Sequence, residues 1–291
     1  MTNLWELVDK FASQEDCIAS ICDAKPLPMY YEGFTPFVSK DINKRTNPDA
    51  SLPGAKSIIV VGLQSKIKNF PPMPEGAGII SALGITEDYH IRVRALINKL
   101  LTILQRCGDF KHKILIDSPA LDERALAVKA GLGYIGRNGL VISPKFGSRF
   151  NIGLLLTDIP LAEPQEKNKV SQSCLPSCNK CVKACPSGAL AERFDVESCI
   201  SYLTQKNEVT PEEEAKIGRH LYGCDICQDV CPKNKPQPIA WAVPEDWLNI
   251  SDEEFAHKYG NTPISWRNAA HLRRNARIVI ANRYSERTSK Q

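Results

Sequence analysis

Eight cysteines lie in one short part of the chain, and their spacing limits what that part can fold around. Two stretches, CNKCVKACP (178–186) and CDICQDVCP (224–232), share the pattern C-x2-C-x3-C-P. Cys174 and Cys199 bring the set to eight thiols between residues 174 and 231. Because a [4Fe–4S] cluster takes four cysteines, this segment is predicted to bind two such clusters.

The order of the cysteines also predicts which of them share a cluster. In two-cluster ferredoxins the last cysteine of one run binds the other cluster. Applied here, this exchange groups the eight residues as Cys174, Cys178, Cys181 and Cys231 on one cluster, and Cys185, Cys199, Cys224 and Cys227 on the other. The first gap is three residues rather than two, and a local loop at Pro176 is expected to absorb the extra residue. Two zinc sites are the alternative, since paired C-x2-C elements also bind zinc. The proline that follows both repeats favours iron.

The other three cysteines, Cys17, Cys22 and Cys107, are scattered and are expected to be small buried hydrophobic residues. The N-terminus has the pattern of an amphipathic helix and not of a secretory signal, so a reducing cytoplasm is predicted. No apolar run approaches the roughly 18 residues that a membrane span needs, so no membrane partner is expected. A net charge of +4 is too small to imply nucleic-acid binding by itself.

Hydrophobic patterning divides the chain into three predicted parts: an α/β domain over residues 1–165, a cluster domain over 166–240 and a basic helical tail over 241–291. In the first part, SIIVVGL (57–63) and KILID (113–117) are predicted strands. The next stretch is predicted to be a helix with Ser118 as N-cap, Pro119 in its first turn and Gly131 at its end.

GLGYIG (131–136) matches the G-x-G-x-x-G pattern of dinucleotide-binding loops. That pattern should follow a strand and open a helix. Here it follows a predicted helix and leads toward a strand, which argues against nicotinamide or flavin binding. Its glycines are expected to allow a tight turn and close approach to a large planar cofactor.

Several longer stretches resemble the epoxyqueuosine reductase family. They are RTNPDASLPGAKSIIVVGL, IDSPALDERALAVKAGLGYIGRNGLVISPKFGS, ESCISYLT and RHLYGCDICQDVCPKNK, and the resemblance runs from about Lys44 to Arg283. The family reduces an epoxide on a modified nucleoside of certain tRNAs, giving queuosine. The resemblance therefore implies an oxidoreductase with tRNA among its expected partners and an external low-potential electron donor.

The resemblance also implies two [4Fe–4S] clusters and a cobalamin. The implied fold class is α/β, a mixed sheet with flanking helices like the cobalamin-binding core of reductive dehalogenases and nitroreductases, joined to a ferredoxin-like double [4Fe–4S] domain. Electrons would pass through the clusters to cobalt, which would attack or reduce the substrate carbon. No D-x-H-x-x-G motif is present, so a corrinoid would bind without a histidine from that motif.

Asp117 matches the proton donor proposed for the family and is also implied to contact the cofactor. When an epoxide C–O bond breaks, the alkoxide must be protonated, and an acid with a raised pKa could do this. The residues alone equally suit an Asx turn or a helix cap. By the same resemblance, Arg45, Ser201 and Asp225 are implied cofactor contacts. His90, at a predicted helix start, is expected to be a surface or packing residue.

The tail, SWRNAAHLRRNARIVIANRYSERTSKQ, carries many arginines that could meet phosphates or form a solvated basic helix. In the family a similar segment leads into a helical-repeat domain that helps to hold tRNA, so this chain is expected to be a short form, and its substrate could be a smaller molecule. Two other functions stay open at this point: an iron–sulfur electron-transfer protein that docks a partner without a corrinoid, and a zinc-stabilised RNA-binding protein.

Overall fold

The computed structural model of the chain describes residues 4–28, 37–65, 67, 69–161 and 173–288. The strands are β1 Ile18–Asp23, β2 Ser57–Gln64, β3 Gly78–Ile80, β4 His112–Ile116, β5 Tyr134–Ile135, β6 Val141–Ile142, β7 Phe150–Thr157, β8 His220–Tyr222 and β9 Ala240–Ala242. The helices are α1 Leu4–Gln14, α2 Ile42–Thr46, α3 Tyr89–Gln105, α4 Glu123–Lys129, α5 Lys180–Ala184, α6 Ile200–Leu203, α7 Pro211–Ile217, α8 Ile226–Asp229, α9 Pro244–Leu248, α10 Asp252–Tyr259 and α11 Ala269–Thr288.

The chain forms two compact units, each made of two segments. The first unit comprises Met1–Ser65 and His90–Cys178, and the second comprises Lys66–Tyr89 and Asn179–Gln291. The predicted boundary near residue 165 falls in 162–172, which lies outside the described residues. The three predicted domain ranges therefore stay a prediction.

A four-stranded sheet of order β1-β2-β7-β4 forms the centre of the first unit. All its strand pairs are antiparallel, with Ile58 opposite Leu156 and Ile116 opposite Gly153. The apolar run of β2 is buried on both faces, as expected for a strand without polar alternation. Ile58 and Leu156 lie in one apolar cluster with Leu126 of α4. The mixed pairing predicted for the fold occurs only in the sheet of the second unit, among the described strands.

Helix α3 covers the opposite face of this sheet. Gly153 of β7 lies so close to it that a Cβ atom there would stand 2.4 Å from Cγ1 of Val93 and 2.7 Å from Cδ1 of Ile97. A side chain at this position would therefore force the helix off the sheet. The first unit is thus a sheet between helical layers, and the α/β prediction is confirmed.

Helix α4 begins later than its sequence predicts. Its N-cap is Asp122, whose carboxylate accepts the backbone N–H of Ala125, so the predicted Ser118 cap and the Pro119 first turn are wrong. The proline and the polar residues before Asp122 form a turn instead, because Asp122 offers an equally good cap one turn later. The predicted end is confirmed: Gly131 has φ +78° and its N–H donates to the carbonyl of Val128.

The GLGYIG stretch follows α4 and forms β5, which pairs with β6. It opens no helix, so it lacks the strand–turn–helix context of a dinucleotide-binding loop. The predicted close approach to a planar cofactor stays a prediction, and within the chain the glycines have another role. A Cβ atom at Gly133 would lie 2.3 Å from the carbonyl oxygen of Ile142, and one at Gly136 would meet the Ile142 side chain at 2.5 Å. These glycines are needed because β6 packs directly against them.

The second unit is built on a three-stranded sheet of order β8-β3-β9. Its apolar core includes Tyr222 of β8, Trp247 of α9, and Leu272 and Val279 of α11. Asn275 of α11 is fully buried and donates from Nδ2 to the backbone carbonyls of Thr204 and Leu221, both at 2.8 Å. Helix α11 is therefore part of the core of this unit.

Several arginines of the predicted basic tail make internal contacts. Arg274 donates to the carbonyls of Asn207 at 2.8 Å and Thr204 at 3.2 Å, and Arg273 donates to the carbonyl of Ile250 at 2.6 Å. Arg283 donates to the Gly76 carbonyl and pairs with Glu245 at 2.9 Å. These guanidinium groups join loops of the second unit to α11.

Two smaller predictions have mixed outcomes. Cys17 and Cys22 are buried as expected, but Cys107 is exposed, because it follows the end of α3. Among the described residues, no helix is long and apolar enough to span a bilayer.

Candidate active site and cluster-binding segment

Asp117 is the first residue after the edge strand β4. Its backbone has φ +48°, a left-handed conformation that aspartate tolerates better than most non-glycine residues. Its side chain is 69% exposed. The sheet is antiparallel, so the usual assembly of ligands at the carboxyl ends of parallel strands does not explain this position. The turn itself presents the carboxyl group to solvent, and the cap of α4 belongs to Asp122 instead.

Glu123, in the first turn of α4, is a functional candidate that the sequence analysis did not identify. Its Oε1 accepts the backbone N–H of Ser118 at 2.9 Å, and its carboxyl group also interacts with the backbone N–H of Asp117. Desolvation of this carboxyl group, reinforced by the charges of Asp117 and Asp122, raises the pKa of Glu123 to about 8. The signal that could have found it is an acidic residue just after a polar turn.

Arg45 holds the other end of the same turn. Its Nη1 donates to the carbonyls of Ala120 at 3.3 Å and Leu121 at 3.1 Å, and its Nη2 lies 3.5 Å from Oδ2 of Asp122. The side chain is only 12% exposed. The structure thus places Arg45 near Asp117 in the chain fold, and its implied contact with a cofactor stays a prediction.

His90, in the first turn of α3, contacts Asp117. Its Nε2 lies 4.0 Å from Oδ2 of Asp117, and its side chain is 39% exposed. The sequence indicated only a surface or packing histidine at this position. The two elements meet because β4 and α3 both contact β7.

The two C-x2-C-x3-C repeats have the same local structure. In each, the second cysteine is the second residue of a short helix, Cys181 in α5 and Cys227 in α8. The third cysteine follows the helix, as Cys185 directly after α5 and Cys231 two residues after α8. The helices α5 and α8 pack against each other, so the sequence repeat is also a structural one.

Four thiols of the second unit influence one another electrostatically. Burial raises the pKa of Cys199, and the charge of Cys185 raises it further. Burial likewise raises the pKa of Cys224 to about 12, with additional contributions from Cys199, Asp225 and Cys185. Burial and the neighbouring Cys224 and Cys199 raise the pKa of Cys227 as well. These four cysteines are the predicted ligands of one cluster.

The other predicted set includes two cysteines of the first unit, Cys174 and Cys178. The backbone N–H of Cys178 donates to the carbonyl of Leu175 at 2.9 Å, which closes a turn around Pro176. Nη2 of Arg137 donates to the Pro176 carbonyl at 2.8 Å. The three-residue gap is thus a turn, as expected. The grouping of Cys174 and Cys178 with Cys181 and Cys231 stays a prediction.

Asp225 and Ser201, implied as cofactor contacts, bind other parts of the second unit. Asp225 accepts from Oγ of Ser81 at 2.8 Å and from the backbone N–H of Ala82 at 2.7 Å. The Ser201 carbonyl accepts from Nε2 of Gln205 at 2.8 Å. Gly223, just before Cys224, has φ +66°, and a Cβ atom there would lie 2.5 Å from Cβ of Ser81. The cofactor roles of Asp225 and Ser201 stay predictions.

Within the part of the chain that the structure describes, no three His, Cys, Asp or Glu side chains form a preformed site for a metal ion. The fit to iron–sulfur clusters rests on the donor set. Grouped thiols that are not joined by disulfides are the ligands that these clusters take. A cluster binds thiolates, so its assembly must displace the protons that burial holds on these cysteines.

Two family models match the chain. Residues 174–234 match "4Fe-4S double cluster binding domain", and residues 45–118 match "Epoxyqueuosine reductase QueG, DUF1730". The first match contains all eight clustered cysteines, and the second contains Arg45, His90 and Asp117. The segment 174–234 is therefore a double-cluster domain, and the predicted two [4Fe–4S] clusters are confirmed.

Three known proteins show how far the similarity extends. An epoxyqueuosine reductase of Bacillus cereus is 38% identical over 266 residues, which are 84% of this chain and 69% of that protein. An epoxyqueuosine reductase solved with a tRNA-Tyr epoxyqueuosine-modified stem loop has a TM-score of 0.84 at 28% identity, covering 96% of this chain and 82% of that one.

A Bacillus subtilis epoxyqueuosine reductase, solved with its catalytic aspartate loop swung out of the active site, has a TM-score of 0.83 at 30% identity. The alignment covers 96% of this chain and 82% of that one. With the identity to the Bacillus cereus protein, the matched site regions and this shared fold, the chain belongs to the epoxyqueuosine reductase family.

Proposed function

We propose that this chain reduces epoxyqueuosine to queuosine in tRNA, with electrons supplied by an external low-potential donor in the cytoplasm. The observation that carries the proposal is the exposed carboxyl group of Asp117, on a turn at the end of the region that matches the epoxyqueuosine reductase model. A proton donor must reach the substrate oxygen, and an exposed carboxyl group on a turn can do so.

The similar Bacillus subtilis enzyme is described with a catalytic aspartate loop, and another relative was solved with a modified tRNA stem loop. Both facts support the corresponding assignments here: Asp117 as the catalytic acid and tRNA as the substrate. Opening an epoxide C–O bond leaves an alkoxide, and Asp117 would protonate it. Nε2 of His90 lies 4.0 Å from Oδ2 of Asp117, which is too far for a direct hydrogen bond.

The proposal includes a cobalamin, which when bound supplies the low-potential cobalt chemistry that protein side chains lack. Arg45, Asp117, Ser201 and Asp225 are the proposed contacts. The carboxyl group of Asp117 is exposed and does not cap α4, so it fits a position beside a bound cobalamin. Arg45 and Asp225 already bind other protein groups, so they would contact the cofactor with their remaining hydrogen-bonding capacity.

In this proposal the two clusters carry electrons. All eight cysteines lie in one segment of about sixty residues, and the exchange of ligands between repeats would keep the two clusters close. The protein's contribution is to hold the thiols on α5, α6 and α8 and to bind the substrate beside Asp117.

The decisive experiment is an assay on tRNA that carries epoxyqueuosine. Protein is made anaerobically with iron, sulfide and cobalamin, then supplied with a chemical reductant, and the tRNA nucleosides are analysed by mass spectrometry. Formation of queuosine supports the proposal, and Asp117→Asn should reduce the rate about 10²- to 10⁴-fold while keeping both cofactors. Protein that contains iron and corrinoid but forms no queuosine would refute the proposed substrate. Iron without corrinoid would support an electron-transfer protein instead.

A further inference from the structure

The turn that carries Asp117 has a strained start. A left-handed backbone at a residue other than glycine costs on the order of 1–3 kcal/mol and persists only where the surroundings fix it. Asp117 has φ +48° directly after a regular strand. Some group must therefore hold this peptide in place if the carboxyl group of Asp117 is to keep one position.

Glu123 is in the right position to do this. Its carboxyl group lies at the first residue of α4, accepts the backbone N–H of Ser118 at 2.9 Å and interacts electrostatically with the backbone of Asp117. The hydrogen bond to Ser118 fixes the peptide that directly follows the left-handed residue. The Asp117 side chain is left on the exposed side.

Other contacts fix the later part of the turn. Arg45 binds the carbonyls of Ala120 and Leu121, and the backbone N–H of Ser39 donates to the Pro119 carbonyl at 2.8 Å. Loss of Glu123 would therefore free the start of the turn while its end stays attached to Arg45.

We propose that Glu123 is the positioning residue of the Asp117 proton donor, because its carboxyl group accepts the backbone N–H of Ser118, the peptide that directly follows the left-handed Asp117. This inference rests on the proposed function of Asp117 as the catalytic acid. Glu123 acts only through the backbone and touches no substrate in this role.

The electrostatic setting suits such a role. Asp117 and Asp122 both raise the pKa of Glu123, and the Arg45 guanidinium is the nearby positive charge. With a pKa of about 8, the Glu123 carboxyl group is mostly neutral near pH 7. A neutral carboxyl group still accepts hydrogen bonds and places no second negative charge beside Asp117.

The test compares Glu123→Gln and Glu123→Ala with a matched control, Glu15→Gln. Glu15 lies in the same unit and pairs with Lys99 at 2.8 Å, away from the turn. In the assay on epoxyqueuosine tRNA, the Glu123 variants should lose about 10- to 100-fold in kcat with unchanged KM, because a small displacement of an acid is costly. Glu123→Gln keeps one acceptor oxygen and should lose less. Iron and corrinoid content should match the wild type, as should the activity of Glu15→Gln.

A second measurement does not depend on activity. Hydrogen–deuterium exchange of a peptide that covers residues 114–121 should be faster in Glu123→Ala, since the Ser118 amide loses its acceptor, less accelerated in Glu123→Gln, which keeps one acceptor oxygen, and unchanged in Glu15→Gln. Wild-type exchange and wild-type kcat in a folded Glu123→Ala protein would overturn the inference.

The two proposals fail in different ways. If Asp117→Asn keeps full turnover, Asp117 is not the acid and the proposed function of this residue falls. If Asp117→Asn loses turnover while the Glu123 variants keep both turnover and slow exchange, only the positioning inference falls. Should no variant act on tRNA, the exchange measurement still decides whether Glu123 holds the turn.

Discussion

The turn that carries Asp117 and the segment that carries the cysteines are held in different ways. The turn is fixed by protein groups alone, with Glu123 at its start and Arg45 at its end. Cys181 and Cys227 lie on helices of five and four residues, α5 and α8, which contain no buried residue. Isolated helices of this length are not stable in water.

The difference teaches which part of the protein depends on its cofactors. The proposed proton donor, Asp117, would need one defined position before substrate arrives, and hydrogen bonds within the first unit hold the turn that carries it. The thiols surround clusters that add eight iron–sulfur bonds between them, so the metal supplies much of the order that a core would otherwise supply. We therefore expect the two regions to respond differently to the same perturbation.

Removal of one ligand should have the largest effect. Cys227→Ser should lower the iron content from about eight to about four atoms per chain and abolish turnover, because one cluster loses a ligand. Cys107→Ser is the matched control, since Cys107 is an exposed cysteine outside the segment. Iron analysis and electron paramagnetic resonance give the readout. Full iron occupancy in Cys227→Ser would contradict the expectation that Cys227 binds a cluster.

Removal of iron is expected to have the next largest effect, and it should change hydrogen–deuterium exchange in one region but not in the other. Chelation under reducing conditions should speed hydrogen–deuterium exchange by at least about tenfold over residues 179–186 and 224–231, which contain the helices without buried residues, α5 and α8. The strands β2 and β7, which are buried in the first unit, should keep their protection. Equal loss of protection in both regions would show that the clusters stabilise the whole chain.

Gly223→Ala tests how much order the protein itself provides beside a cysteine. Its positive φ and the Cβ of Ser81 at 2.5 Å both oppose a side chain, so we expect a loss of about 2–4 kcal/mol in unfolding free energy. Gly188→Ala is the control, with φ +71° and no atom within 4 Å of the added Cβ atom, and should lose only about 1 kcal/mol. Denaturation of the iron-loaded proteins measures both. Equal losses would show that the contact with Ser81 is unimportant.

The last test of the comparison concerns the pH dependence of stability. The pKa of Glu123 is raised from 4.5 to about 8, so the folded protein keeps a proton that the unfolded chain releases. Its contribution is complete below about pH 4.5 and is lost as pH rises toward 8, with a slope of at most about 1.4 kcal/mol per pH unit.

Glu123→Gln has no such proton, so its unfolding free energy should fall less steeply across this window than that of the wild type. Thermal unfolding of both proteins between pH 5 and pH 8 gives the comparison. Parallel curves would show that the carboxyl group of Glu123 is as hydrated in the folded protein as in the unfolded chain.

The cysteine repeats could be predicted because their chemistry depends on spacing along the chain. The same spacing gives α5 and α8 the same local structure, so the sequence alone identified the repeat, and its cysteines are the predicted cluster ligands. The strand β2 was equally clear, because its apolar run has no polar alternation.

The turn after β4 could not be predicted in the same way. Ser118 and Asp122 are both good helix caps, and only packing decides between them. The left-handed backbone of Asp117 leaves no pattern in the sequence. The hydrogen bond that the Ser118 N–H donates to Glu123 leaves none either. The internal contacts of the tail arginines were missed for a related reason: a row of arginines looks the same whether it faces solvent or backbone carbonyls.

The buried Asn275 has a practical consequence for anyone who wishes to study the clusters apart from the remainder of the protein. A fragment that stopped at the last cysteine would leave the carbonyls of Thr204 and Leu221 without the amide that binds them. Each buried carbonyl left without a partner costs about 1–3 kcal/mol. A minimal electron-transfer fragment must therefore extend well beyond its own metal ligands, through most of α11.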